Sequence, residues 1–263
     1  MVFHVHCGGH WHSVVLEDDG GEVVVRFPEH KDIEKDTLIA TMRGDVGGCP
    51  SVFLELTGQR DDGRLSKEMM RALANRKYKR ARILLEAGAN PNFSTRRSAR
   101  TVLLMQIENR RRNAVKLLLE YGADPDKKSA YEETPLIRAA GMGLRSILRM
   151  LLEAGADPNA KAETDHTALH SAARANDSFA IDLLVQHGAE VNALTSFSTT
   201  PLHHAVRAEN TEAVIELLKH GADTGIRNSS GDTALSMAKS QGSRESARIH
   251  EILSRAARGE APE

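Results

Sequence analysis

A chain of 263 residues with 40% hydrophobic but only 4% aromatic residues can build a core of Leu, Ile, Val, Ala and Met, and it lacks the rings of an aromatic-rich β-sandwich or a single-strand nucleic-acid platform. No apolar run approaches the roughly 18 residues that span a bilayer, MVFHVHCGGH has no secretory character, and Cys7 and Cys49 are too few for a disulfide framework, so the expectation is an intracellular protein of the cytoplasm or nucleus. The net charge of −1 hides a segregation, with 5 basic against 12 acidic side chains in 1–63, 20 against 8 in 64–149 and 10 against 16 in 150–263, which points to an acidic partner for the basic middle or to attraction between parts of the chain.

From the N-terminus, VFHVH (2–6), SVVLE (13–17) and EVVVRF (22–27) read as strands joined by turns at Gly8–Gly9 and at DDGG (18–21). DIEKDTLIATMRG (32–44) is a weak helix signal and SVFLEL (51–56) a further strand. Residues 1–62 are thus a small β-rich or α+β module. Its first hairpin holds His4, His6, Cys7, His10 and His12, the residue types that ligate zinc. A two-residue turn sets Cys7 opposite His10 and Val5 opposite His12, so alternation puts Cys7, His10 and His12 on one face and His4 and His6 on the other. A three-residue turn regroups them. The five ligands do not converge, so an ordinary polar strand is expected, with no metal and no cofactor. VFLELTGQRDDGRL (52–65) resembles the strand, glycine and D-G-R-x-L segment of ubiquitin-like β-grasp domains, which implies a docking module.

Beyond residue 63 the chain repeats itself. LLEAGANPN (84–92), LLEYGADPD (118–126), LLEAGADPN (151–159), LVQHGAEVN (184–192) and LLKHGADTG (217–225) set Gly88, Gly122, Gly155, Gly188 and Gly221 apart by 34, 33, 33 and 33 residues. TPLIRAAGMG (134–143), TALHSAARAN (167–176) and TPLHHAVRAE (200–209) precede three of these endings, and TALSMAKSQG (233–242) starts a sixth copy that never reaches the glycine. Thr134 and Thr200 suit helix N-caps with Pro135 and Pro201 at the first helical position. Paired alanines let helices approach, and SILRMLLEAG (146–155) lays Ile147, Leu148, Leu151 and Leu152 along one stripe ended by a glycine cap. A helix pair of this size cannot bury its own stripe, so copies must stack.

These phrases resemble ankyrin repeats over residues 64–254, about three quarters of the chain. The implied fold class is mainly α: an ankyrin-repeat α-solenoid of five repeats plus a partial C-terminal cap, preceded by the small β-rich, β-grasp-like module and followed by a disordered tail at 255–263. Copies one (67–88) and two (101–122) lose the Pro, His and inter-helix Gly, and NRRRN (109–113) occupies the place of a glycine turn.

The resemblance implies a protein-binding adaptor that uses hairpin tips and inner helices, and no enzyme. The tips RRSAR (96–100), SAYEE (129–133), AETDH (162–166) and TSFST (195–199) supply Arg97, Arg100, Tyr131, Glu133, Glu163, His166 and Phe197 as candidate contacts. The inner helices add Arg138, Met142, Arg174 and Arg207. Tyr131 and Phe197 are the expected anchors, because large rings on loops are the residue type that dominates interfaces. His170 and His203 read as hydrogen-bonded structural residues. Arg76, Lys77, Lys79, Arg80, Arg82, Arg110, Arg111, Arg112 and Lys116 fall on turns and outer helices of the first two copies, as a basic ridge for an acidic protein surface; the arginines lack the interleaved aromatics that a single-strand platform needs, Tyr78 being the one ring among them, which disfavours nucleic acid. The expected state is a monomer or one subunit of a hetero-complex. Two rivals are a permanent structural subunit of a larger assembly and a metal-dependent enzyme centred on 1–62 with the array as its targeting arm.

Overall fold

A computed structural model describes residues 2–7, 10–19 and 22–26 as backbone, and residues 63–94, 100–129 and 132–261 with side chains. It divides into two units, Met1–Phe93 and Ser94–Glu263. The first helix pair, within Arg64–Glu86, falls inside the bounds of the first unit.

In the first unit β1 (Val2–Cys7), β2 (His10–Asp19) and β3 (Glu22–Arg26) form an antiparallel sheet in that order. Cys7 pairs with His10, Val5 with His12, and Asp19 with Glu22. The grouping of the imidazole side chains, the 32–44 helix, the 51–56 strand and the β-grasp resemblance lie outside the described residues. The helices α1 (Arg64–Ala74) and α2 (Tyr78–Glu86) bury Met69, Leu73, Leu84 and Leu85. The loop that follows is tied back to α1 by Asn90 N–H donating to Ser66 Oγ at 2.8 Å.

Among its described residues the second unit holds five helix pairs: α3 (Val102–Glu108) with α4 (Arg112–Glu120), α5 (Pro135–Gly141) with α6 (Arg145–Glu153), α7 (Ala168–Arg174) with α8 (Ser178–Gln186), α9 (Pro201–Arg207) with α10 (Thr211–Lys219), and α11 (Ala234–Gln241) with α12 (Arg244–Ala257). Inner helices α5, α7, α9 and α11 pack in sequence, as do outer helices α4, α6, α8, α10 and α12. The inner seam is made of small residues, Ala139, Ala140, Ala172, Ala173, Ala205 and Ala238, and the outer seam of Ile147, Leu148, Leu151, Ile181, Leu184, Val214, Leu217, Ile249 and Leu253, all buried. Among the described residues no helix is long and apolar enough to cross a membrane.

Each inner helix starts on a threonine. The Oγ of Thr101, Thr134, Thr200 and Thr233 accepts from the N–H three residues on, at 3.1 to 3.3 Å, satisfying a donor that the helix end leaves free. In α7 and α9 the third helical residue is a histidine, and its Nδ1 accepts the N–H of Thr167 or Thr200 at 3.2 Å. That places the ring proton on Nε2, which donates to the next layer: His170 to Thr199 O at 3.1 Å and His203 to Asp232 O at 3.2 Å. Both histidines are buried. They cap one helix and peg it to its neighbour.

Two left-handed positions recur at the helix ends of the repeats. The glycines after the outer helices, Gly88, Gly122, Gly155, Gly188 and Gly221, sit at φ 78° to 91°, beyond the region that L-residues share with glycine near +57°. The inter-helix turns use Arg76, Arg110, Gly143, Asn176 and Glu209, at φ 53° to 65°. Arg110 thus takes the glycine turn's backbone in copy two, which keeps its helix pair without the glycine.

Side chains in the loops join successive layers about thirty residues apart. Asn159 Oδ1 accepts from Glu190 N at 2.8 Å while its Nδ2 donates to Gly188 O at 2.9 Å, and Asn192 Oδ1 accepts from Asp223 N at 2.9 Å. Asp126 holds the same register and accepts from Asp157 N at 3.1 Å. Burial, together with the nearby Asp157 and Asp124 carboxylates, raises its carboxyl above the usual aspartate range despite that hydrogen bond. On the opposite side of the repeat, Arg145 Nε reaches both carboxylate oxygens of buried Asp177, at 2.9 and 3.2 Å.

The C-terminus corrects the sequence reading. The sixth copy completes a helix pair, and α12 runs to Ala257 instead of ending at 254. Buried Ile252 and Leu253 anchor it, Ala256 and Ala257 extend it as strong helix formers, and Glu260 accepts from Arg258 Nε at 2.6 Å and Arg255 Nε at 3.3 Å. The segment expected to be disordered from 255 is ordered through this turn.

Candidate recognition surface

The tips and inner helices of the second unit bring some expected contact residues together and commit others elsewhere. Arg97 and Tyr131 lie outside the described residues. Arg100 donates to Glu108 Oε2 at 3.1 Å, and the other oxygen of Glu108 lies 3.6 Å from Arg138, which also pairs with Glu133 at 2.5 Å. Arg100, Glu133 and Arg138 are therefore members of one internal ionic chain, and their charges are largely spent on each other. Met142 is half-buried at the end of α5, and Glu163 is exposed.

His166, Phe197 and Arg207 border a groove of about 420 Å3, together with Thr199, His204 and Asn228. Phe197 is 63% exposed, and Leu194 in the same tip is 45% exposed. These are the exposed large hydrophobic side chains among the described residues. Tip 195–199 holds its shape without covering that ring: Thr195 N–H donates to Thr199 O at 3.0 Å, their hydroxyls lie 2.6 Å apart, and Ser196 N–H reaches Thr164 O in the preceding tip at 3.1 Å.

Behind the groove stand three imidazoles, His166, His170 and His204, with ring centroids 5.1 to 5.3 Å apart. Burial, then the neighbouring histidines, then Arg207 and Arg174, lower His204 to about 3. His170 is lowered to about 4, chiefly by burial. Burial and Arg174 lower His166 as well. At neutral pH the three rings are uncharged, with His166 Nε2 2.9 Å from Ser171 Oγ and His204 Nε2 3.1 Å from Thr199 Oγ1. The wall they form is polar and aromatic but carries no charge.

Arg174 and Arg207 are exposed on this face and close enough to His204 to disfavour its protonation. Neither forms an ion pair among the described residues. Sequence reading named both arginines and Phe197, but missed His204 and Leu194. The T-P-L-H-H run carried a signal for His204, since its neighbour His203 is the capping residue and the next position turns toward the groove.

The residues of the expected basic ridge divide between the two units. Arg76, Lys77, Lys79, Arg80 and Arg82 are exposed in the first, with Arg80 3.3 Å from Glu68. In the second, Arg110 and Arg112 are exposed, Arg111 is half-buried, and Lys116 lies 3.8 Å from Glu120.

A family model described as ankyrin repeats, in 3 copies, matches residues 69–162 and 169–249. A search of curated proteins gave no match to the chain.

Proposed function

We propose, given that the chain belongs to the ankyrin repeat family, that Ser94–Glu263 is an adaptor surface that grips an acidic segment of another protein. Ankyrin repeats are protein–protein interaction modules. The observation that carries the finer reading is Phe197, a large ring left 63% exposed beside the groove that Arg207 also lines, while Arg174 lies near His166 and His204 and neither arginine forms an ion pair among the described residues. An apolar side chain of the partner packs on Phe197, and its carboxylates meet Arg174 and Arg207. Bidentate geometry makes arginine well suited to carboxylates, and aromatic and arginine anchors dominate interface energetics. The role is recognition; the imidazoles behind the groove are neutral and hydrogen-bonded, and they shape it.

The test starts from crosslinking and mass spectrometry of the complex formed by the full chain in cells. Phe197→Ala is expected to weaken binding to the identified partner by about 30-fold or more, the size of a hot-spot truncation. Arg174→Ala with Arg207→Ala is expected to weaken it further and to flatten its salt dependence. Unchanged affinity in Phe197→Ala refutes the assignment of this surface.

A further inference from the structure

On the outer helices, away from the groove, three potential ligands from two successive repeats converge. Asp182 lies on α8, Glu216 on α10, and His220 caps the C-terminal end of α10. One donor atom from each lies within 4.8 Å of the others. His220 Nε2 stands 3.3 Å from Asp182 Oδ1 and 3.4 Å from Glu216 Oε1. It is shielded from solvent and makes a hydrogen bond of acceptable geometry to neither oxygen. An imidazole nitrogen in that position is unsatisfied as a hydrogen-bonding group but well placed as a ligand.

We infer that Asp182, Glu216 and His220 form a site for a divalent transition-metal ion that ties two consecutive outer helices together. Two observations support this beyond the presence of the residue types. Metal bonds of about 2.0–2.1 Å to nitrogen and 2.0–2.2 Å to carboxylate oxygen require donors about 3.3–3.5 Å apart in a tetrahedral site, and both measured separations from Nε2 agree. Each carboxylate also has its other oxygen engaged: Gln186 Nε2 donates to Asp182 Oδ2 at 2.8 Å and Lys219 Nζ to Glu216 Oε2 at 3.2 Å. Such outer partners fix the orientation of ligating groups. One imidazole with two carboxylates suits zinc and its first-row neighbours, not the all-oxygen shells of calcium or magnesium. Three protein ligands leave the fourth position to water.

Zinc is the probe, with the full chain in equilibrium dialysis and thermal unfolding at pH 7.5. His4, His6, His10 and His12 stay in every protein compared, so zinc taken up there cancels. The wild type is expected to bind one equivalent more than His220→Gln or Glu216→Gln. Its unfolding midpoint is expected to rise by about 5–10 °C more than theirs at zinc near a hundred times Kd. Glu216→Gln replaces one oxygen by an amide on a solvent-touching helix, so the comparison stands even if His220→Gln folds poorly. Equal zinc uptake by all three proteins, or an equal zinc-induced shift, overturns the site.

Discussion

Acidification should destabilise the second unit through its buried imidazoles, and the size of the effect follows from the structure. His170 and His204 are held neutral, with pKa values lowered to about 4 and about 3. In the unfolded chain they return to about 6.5. A histidine whose folded pKa is depressed binds its proton only on unfolding, so stability is lost as pH falls below 6.5 and continues to fall until the folded pKa is reached. At pH 5.5 the unfolded form of each ring is about nine-tenths protonated and the folded form is not, which removes about 1.3 kcal/mol per histidine relative to pH 7.5. The two together remove about 2.5 kcal/mol, or roughly 5–10 °C in the unfolding midpoint. This value depends little on how far below 5.5 the folded pKa values lie. The assay is urea unfolding followed by far-UV circular dichroism at pH 7.5, 6.5 and 5.5, on the wild type and on His204→Gln. The variant is expected to start less stable at pH 7.5 but to lose about 1.3 kcal/mol less on acidification, the share of one ring. Equal losses in both proteins, or a wild-type loss under about 1 kcal/mol, would show that the rings are not held neutral and would refute the argument.

Gly155→Ala should destabilise the unit by about 1–2 kcal/mol, the penalty of a left-handed backbone for an L-residue, because Gly155 sits at φ 88° with no atom within 4 Å of an added Cβ. Urea unfolding measures it, and a neutral result would mean that the turn relaxes freely. Asp126→Asn should stabilise by a few tenths of a kcal/mol, since Asn159 and Asn192 accept the same loop N–H without a charge while Asp126 faces two carboxylates. That gain is expected at pH 7 and should vanish near pH 3, where the native carboxyl is neutral.

Much of the array could be read from the sequence because its signals are local. A threonine three residues ahead of the N–H it caps, a leucine stripe and a terminal glycine each act within one helix turn, so Thr134, Leu151 and Gly155 announce their roles without knowledge of the neighbours. The site was less legible where a role depends on the next layer. Arg138 looked like a free groove contact, yet Glu108 and Glu133 from other segments absorb it. Asp182 and His220 are 38 residues apart in sequence and meet only because the helices stack in register. Leu194 is apolar and sits in the same tip as Phe197, but alternation in a loop gives no rule for which apolar side chain faces water. Arg110 shows the reverse case, in which a residue that seemed to break the pattern adopts the required backbone.

The ties between layers, from the Asn159 and Asn192 side chains to the His170 and His203 rings, reach one repeat ahead and stop. Tension applied to the ends of such an assembly meets no bond that spans the whole of it. Under load the terminal layers should peel away one after another, each releasing about 33 residues, or roughly 110 Å of extended chain, while the layers behind keep their form. Refolding would retrace these steps by closing loops of similar length, which makes it fast for a domain of this size.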